Sequence, residues 1–291
     1  MKFFAYLSFL TFISSSWSMP GLLQRPKVIY GVDNRREIYE APQKWQELAR
    51  STVTLVRSDQ IVLNQDPGLY ELLGHNYRKE KNLCSDEPYG EQRMVAHCSG
   101  FLVAPDIVAT AGHCIKDQDH CKRLAYVFDV QKSSAQEYDY KIDKEKFYSC
   151  KNLIKKVEDK VTKIDYALIR LNKKVTDREP LKLSQSKGPT KGEEMAVIGH
   201  PYGIPKKFAD EGYILENSHN AYFKVDLDTY SYNSGSPIFN IQTMEVEGIL
   251  VRGESDFVYD KNALCYRSRV CDPGECHGEE VNRIHFLTPY L

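Results

Sequence analysis

Three short stretches of this 291-residue chain carry side chains able to do chemistry. Ser234 sits in Asn233-Ser234-Gly235-Ser236-Pro237, a polar, glycine-containing turn that runs into apolar Ile238-Phe239. His113 closes the apolar run Ile107-Val108-Ala109-Thr110-Ala111-Gly112-His113, and Asp165 opens the alternating segment 165–171. An alcohol, an imidazole and a carboxylate form a set suited to nucleophilic catalysis. A serine hydroxyl is a poor nucleophile until a base takes its proton, and the base works best when a carboxylate holds it in one tautomer. Taken singly, each residue has a plainer reading. Ser-Gly pairs are common in turns, and an Asp at the start of a strand is an ordinary turn former.

The elements that would position these residues read mostly as strands. Residues 52–56 and 60–63 are rich in β-branched side chains, and 19 tyrosines among scattered Val and Ile favour sheet over helix. Residues 98–114 read as a strand, a turn at Pro105-Asp106 and a second strand ending tightly at His113. Residues 222–228 form a strand feeding the Ser234 turn, and 248–251 form another after it. Residues 43–50 have helical spacing through Trp45, Leu48 and Ala49, whereas 66–93, with Pro67-Gly68 and Pro88-Tyr89-Gly90, read as loop. The polar segment 173–191 is the natural junction between two halves.

The block 233–237 resembles the nucleophile loop of chymotrypsin/trypsin-like serine proteases, and is closest to the secreted bacterial branch that contains the glutamyl endopeptidases. Cys98-Ser99-Gly100-Phe101-Leu102-Val103 and Thr110-Ala111-Gly112-His113-Cys114 resemble that family's histidine block, and 165–171 its aspartate strand. The resemblance implies an all-β chain of two six-stranded antiparallel Greek-key barrels with the active site in the cleft between them. It also implies a serine endopeptidase acting through an acyl-enzyme, with Ser234 as nucleophile, His113 as general base and then acid, and Asp165 as orienter. The chain order His, Asp, Ser agrees. A Cys98–Cys114 bridge follows from the same likeness; closing a loop of that size is worth about 3 kcal/mol in the chain-entropy model.

The oxyanion hole implied by the family is the pair of backbone N–H groups of Tyr232 and Ser234. The family keeps glycine where this chain has Tyr232. Tyrosine in a left-handed conformation costs roughly 1–2 kcal/mol, so either the backbone carries that strain or the hole is collapsed. Two residues are candidates for the substrate pocket. Asp228, six before Ser234, stands where trypsins keep the acid that pairs with basic side chains. Arg252, just past 248–251, would instead attract an acidic side chain. His200, in Gly199-His200-Pro201, reads as a structural turn residue.

The remaining features set the compartment. Lys2, the apolar run 3–13 and Ser16-Trp17-Ser18 form a secretory signal over 1–18; the run is well under the roughly 20 residues needed to span a bilayer. Residues 19–27 are then a short propeptide or linker, and Val28-Ile29 resembles the mature start of the family branch. Residues 28–172 make the N-terminal barrel with its extension, and 173–291 the C-terminal barrel with a Cys-containing tail. Export, to an extracellular or periplasmic space, makes disulfides of the eight cysteines. Beyond Cys98–Cys114 the remaining six can pair in fifteen ways, of which Cys121–Cys150 and Cys265–Cys271 are our expectation. The tail lacks paired zinc-ligand spacings, and neither metal nor cofactor is expected. Lys+Arg 39 against Asp+Glu 40 gives a net charge of −1, so a nucleic-acid partner is not indicated. The expected partner is a protein or peptide substrate and the expected state a monomer without membrane insertion. An inactive homologue that binds a partner protein through the cleft is the competing reading.

Overall fold

The computed structural model describes residues 29–137, 140–186, 188–272 and 274–291. The expected signal segment 1–18, the propeptide or linker 19–27 and Val28 lie outside them.

Six strands close the first barrel: β1 (Thr52–Arg57), β2 (Cys98–Ala104), β3 (Ile107–Thr110), β4 (Leu124–Phe128), β5 (Phe147–Glu158) and β6 (Asp165–Leu171). Their order is β1-β2-β3-β6-β5-β4, with β4 returning to β1, and every pairing is antiparallel. A second set follows: β7 (Glu194–Gly199), β8 (Lys207–Glu216), β9 (Tyr222–Val225), β10 (Pro237–Asn240), β11 (Val246–Arg252) and β12 (Glu279–Arg283). They run β7-β8-β9-β12-β11-β10 and back to β7, also antiparallel. The two barrels therefore share one Greek-key order, and closure leaves neither with a long free edge. Each has an apolar interior, with Phe101, Leu102, Val108 and Leu168 fully buried in the first and Val225, Ile238 and Val281 in the second.

Short elements tie the halves together. The helix Gln43–Ala49 forms as its spacing predicts, burying Trp45 and Ala49. Trp45 meets Phe208 and Phe239 of the second barrel at ring-centroid distances of 5.0 and 5.5 Å, so the N-terminal extension packs across the junction. Ile29–Tyr30 pairs in parallel with Val270–Cys271, and Arg36–Glu37 adds to the end of β8.

The segment 66–93, read as loop, is more ordered than its composition indicates. It contains the strand Leu69–Leu72, which pairs with Ile61–Leu63 and Lys141–Asp143, and the helix Tyr77–Lys81. The long strand β5 escaped the sequence reading because residues 152–157 are half-buried throughout, lysines beside apolar side chains, with no in–out alternation.

All eight cysteines are paired: Cys98–Cys114, Cys121–Cys150, Cys84–Cys265 and Cys271–Cys276. The expected Cys265–Cys271 bridge does not form. The backbone around Cys265 runs beside residues 82–84, where Cys84 N donates to Tyr266 O and Tyr266 N to Asn82 O, and this brings Cys84 to it. Cys271 lies instead on the strand that pairs with Ile29–Tyr30 and closes a five-residue loop to Cys276. Among the described residues no helix is long and apolar enough to cross a membrane.

Candidate active site

His113 sits in the tight turn Gly112–Cys114 that follows β3, close to the start of β6. Gly112 is required there: a β-carbon would overlap the Val157 carbonyl oxygen and crowd Asp165 Oδ1. This close approach lets one carboxylate hold the histidine twice. Asp165 Oδ1 accepts from the His113 backbone N at 3.0 Å, and Oδ2 lies 2.8 Å from His113 Nδ1. An ionised carboxylate can only accept, so Nδ1 carries the proton and Nε2 is left as the basic nitrogen.

Asp165 is itself buried at 4% exposure and held from a third side. Its N–H donates to Asn282 Oδ1 on β12, and Arg252 at the end of β11 approaches Oδ2 at 3.4 Å. Burial alone would push this carboxyl up. The hydrogen bond from His113 and the charges of His113 and Arg252 instead hold it below the ordinary carboxylate value.

The Ser234 turn is built on backbone hydrogen bonds, Asn233 N to Tyr230 O and Ser236 N to Asn233 O. It is hung between the barrels. Ser99 N on β2 donates to Ser234 O at 2.8 Å, and Gly235 N donates to Leu250 O on β11 at 2.8 Å. Gly235 has φ +92°, and a β-carbon there would overlap the Ser99 carbonyl oxygen. The Ser99 hydroxyl also accepts from His200 N at 2.9 Å. His200 is fully buried, and burial with the nearby Lys206 and Lys207 charges holds it neutral, as suits a structural residue.

Of the two conformations open to Tyr232, the strained one is present: its φ is +71°, in the left-handed region. Its ring packs edge-on against Tyr202 at 5.6 Å. Among the described residues neither the Tyr232 nor the Ser234 N–H donates to a protein acceptor. Ser234 and the His113 ring line one cleft of about 450 Å³, together with residues 229–232 and the end of β11. No hydrogen bond joins the Ser234 hydroxyl to the His113 ring among the described residues.

The two pocket candidates are placed differently from the sequence reading. Asp228 does not line the cleft. Its carboxylate turns to the N-terminal segment, accepting from Tyr30 N at 2.8 Å and Asn34 N at 2.9 Å, and burial pushes it up to about 7. Arg252 does reach the cleft, but its guanidinium is already bound to Asp165, to Glu280 at 2.6 Å and to Lys163 O at 2.9 Å. It is therefore not a free cation for an acidic side chain. Ser99, Asn282 and Glu279 were not singled out from the sequence, although each touches this site.

Two six-stranded antiparallel barrels, with His113 and Ser234 lining one cleft, are the architecture of the chymotrypsin-like fold. The family model for the trypsin-like peptidase domain matches residues 98–249, more than half of the chain, and the chain belongs to that family. A curated relative, an extracellular metalloprotease of Bacillus subtilis (strain 168), is 30% identical over 149 residues. That match covers 49% of this chain and 45% of the relative, so the chain spans less than half of it. Among solved structures, the Vibrio cholerae VesB protease superimposes with a TM-score of 0.52 at 11% identity, covering 88% of this chain and 65% of that one. A Glu endopeptidase in complex with MPD gives 0.51 at 14% identity, covering 89% and 96%. At these identities the superpositions speak for the fold alone. Likeness to an extracellular protease and four disulfides are consistent with secretion.

Proposed function

We propose that the protein is an exported serine endopeptidase in which Ser234, His113 and Asp165 form the catalytic triad. The observation that carries this reading is the double hold of Asp165 on His113, which leaves Nε2 basic at the edge of the cleft that Ser234 lines. Ser234 Oγ adds to the scissile carbonyl carbon as Nε2 takes its proton. The tetrahedral oxyanion is met by the N–H groups of Tyr232 and Ser234. Collapse breaks the C–N bond, with the Nε2 proton passing to the departing amine, and water then hydrolyses the ester by the same proton path. Residues 28–172 form the N-terminal unit and 173–291 the C-terminal one, the cleft lying between them.

The relative's name raises the question of a metal. Among the described residues, the His/Cys/Asp/Glu atoms close enough together to share an ion are those of Cys98, His113 and Cys114. Both sulfurs are bound to each other, so a single imidazole is left, and that set does not fit a metal centre. The competing reading, an inactive partner-binding homologue, rested on Tyr232; its positive φ supports a formed oxyanion hole instead.

A serine-directed fluorophosphonate probe tests the assignment. The purified protein should be labelled, and Ser234→Ala should abolish labelling while keeping the far-UV circular dichroism spectrum. Labelling that persists in Ser234→Ala, or fails in the native chain, refutes it.

A further inference from the structure

The inner end of the cleft is acidic. Glu279, the first residue of β12, lines it at 3% exposure. Its Oε2 accepts from Thr229 Oγ1 at 2.5 Å and its Oε1 from Glu254 N at 3.3 Å, and no cationic group pairs with it among the described residues. Gly253 forms the wall above. A β-carbon there would overlap the Glu279 carboxylate, so the chain leaves that carboxylate uncovered by any side chain at this position.

The charged groups around Glu279 do not neutralise it. Asp256, 8% exposed, accepts from Tyr202 Oη and from the Ser231 backbone and hydroxyl. Glu254 lies 3.7 Å from Arg269, a contact Arg269 shares with Glu275. Arg252, at the mouth, is bound to Asp165 and Glu280, and Arg35 is bound to Asp33. Tyr30, whose hydroxyl feels the Glu279 and Glu254 charges, adds no positive charge. A buried carboxylate without a cation is costly, and an incoming cation that pairs with it recovers much of that cost.

We propose that Glu279 is the primary specificity residue, and that the pocket takes the lysine or arginine side chain on the acyl side of the scissile bond. The inference rests on Ser234 being the nucleophile, because Glu279 and Ser234 line the same cleft. An acidic side chain there meets three carboxylates, and an apolar one leaves Glu279 unpaired. Burial, with the charges of Asp256 and Glu254, pushes Glu279 up to about 8 despite the Thr229 and Glu254 hydrogen bonds. Below that pH the empty pocket holds a proton that a basic side chain must displace. The ratio of kcat/KM for lysine over leucine substrates therefore rises with pH toward 8 and then levels, and taking the ratio cancels ionisations common to both.

The test uses fluorogenic tetrapeptide amides that differ only in arginine, lysine, leucine or glutamate before the scissile bond. Enzyme is titrated with the fluorophosphonate so that rates refer to competent sites. Arginine or lysine should exceed leucine by about 100-fold, glutamate should be the poorest, and Glu279→Gln should cut the basic-over-leucine ratio by about 100-fold. Benzamidine inhibition of the native enzyme, stronger than that of neutral benzyl alcohol, supports the same pocket without depending on the variant folding. Full labelling with leucine or glutamate preferred overturns the inference and leaves the hydrolase reading standing. Absence of labelling overturns both.

Discussion

Replacing Tyr232 by glycine and, separately, by alanine isolates the energy stored beneath the oxyanion hole. Tyr232 holds φ +71° and packs its ring on Tyr202 at 5.6 Å. Both variants lose that contact, worth about 0.5–1.5 kcal/mol for an aromatic pair. Alanine keeps a β-carbon in the left-handed region, which costs roughly 1–2 kcal/mol, whereas glycine does not. Glycine gives back part of the gain through the greater freedom of its unfolded chain, about 0.5–1 kcal/mol. The glycine variant should therefore be more stable than the alanine variant by about 1 kcal/mol, or about 2–4 °C in Tm for a chain of this size. The peptide N–H survives in both, so kcat/KM on a small ester should stay within about threefold of the native value. Loss of a donor, by contrast, costs about 10² to 10³ in rate. Differential scanning calorimetry and ester hydrolysis measure the two quantities. A tenfold gain in the glycine variant would mean the native hole is collapsed. A tenfold loss would mean the ring, not the turn, aims the donor, and alanine outlasting glycine would sink the strain argument.

Other perturbations follow from the same geometry. Arg252→Met should lower Tm at neutral pH. Asp165 titrates below its unfolded value, so its stabilisation is present above about pH 4 and lost as pH falls through its folded value; the gap between native and variant should shrink over that range, which a Tm–pH series reads. Ser99→Ala strips the acceptor from buried His200 N and should cost about 1–3 kcal/mol in urea unfolding. Removing Cys84–Cys265 as a double serine variant should cost about 2–4 kcal/mol while leaving fluorophosphonate labelling intact, because neither cysteine lines the cleft.

What was legible in the sequence was the part in which function and backbone crowding coincide within a few residues. Gly112 and Gly235 are forced by contacts with Asp165 and Ser99, so the histidine and serine blocks keep a recognisable local spelling. Asp165 was visible because it opens a short strand whose apolar run, Tyr166 to Ile169, is easy to read. Counting back from Ser234 found the right stretch for the pocket wall but not the direction of Asp228, which two backbone amides of the N-terminal segment decide. Arg252 was noticed for its charge, but its partners lie at residues 163, 165 and 280, which no local pattern connects. Glu279 and Asn282 reach the site only because β12 closes the second barrel beside β11. Strand β5 and the elements inside 66–93 went unread because half-exposed, charged strands lack a binary pattern.

The Ser99–Ser234 hydrogen bond makes the position of Ser234, the proposed nucleophile, a property of the seam rather than of either barrel. A small parting of the two halves would misplace the reactive alcohol while every β-ladder survived intact. Warming or mild denaturant should therefore silence the protein first and melt it later, with the interval between the two midpoints reporting how firmly the seam is sewn.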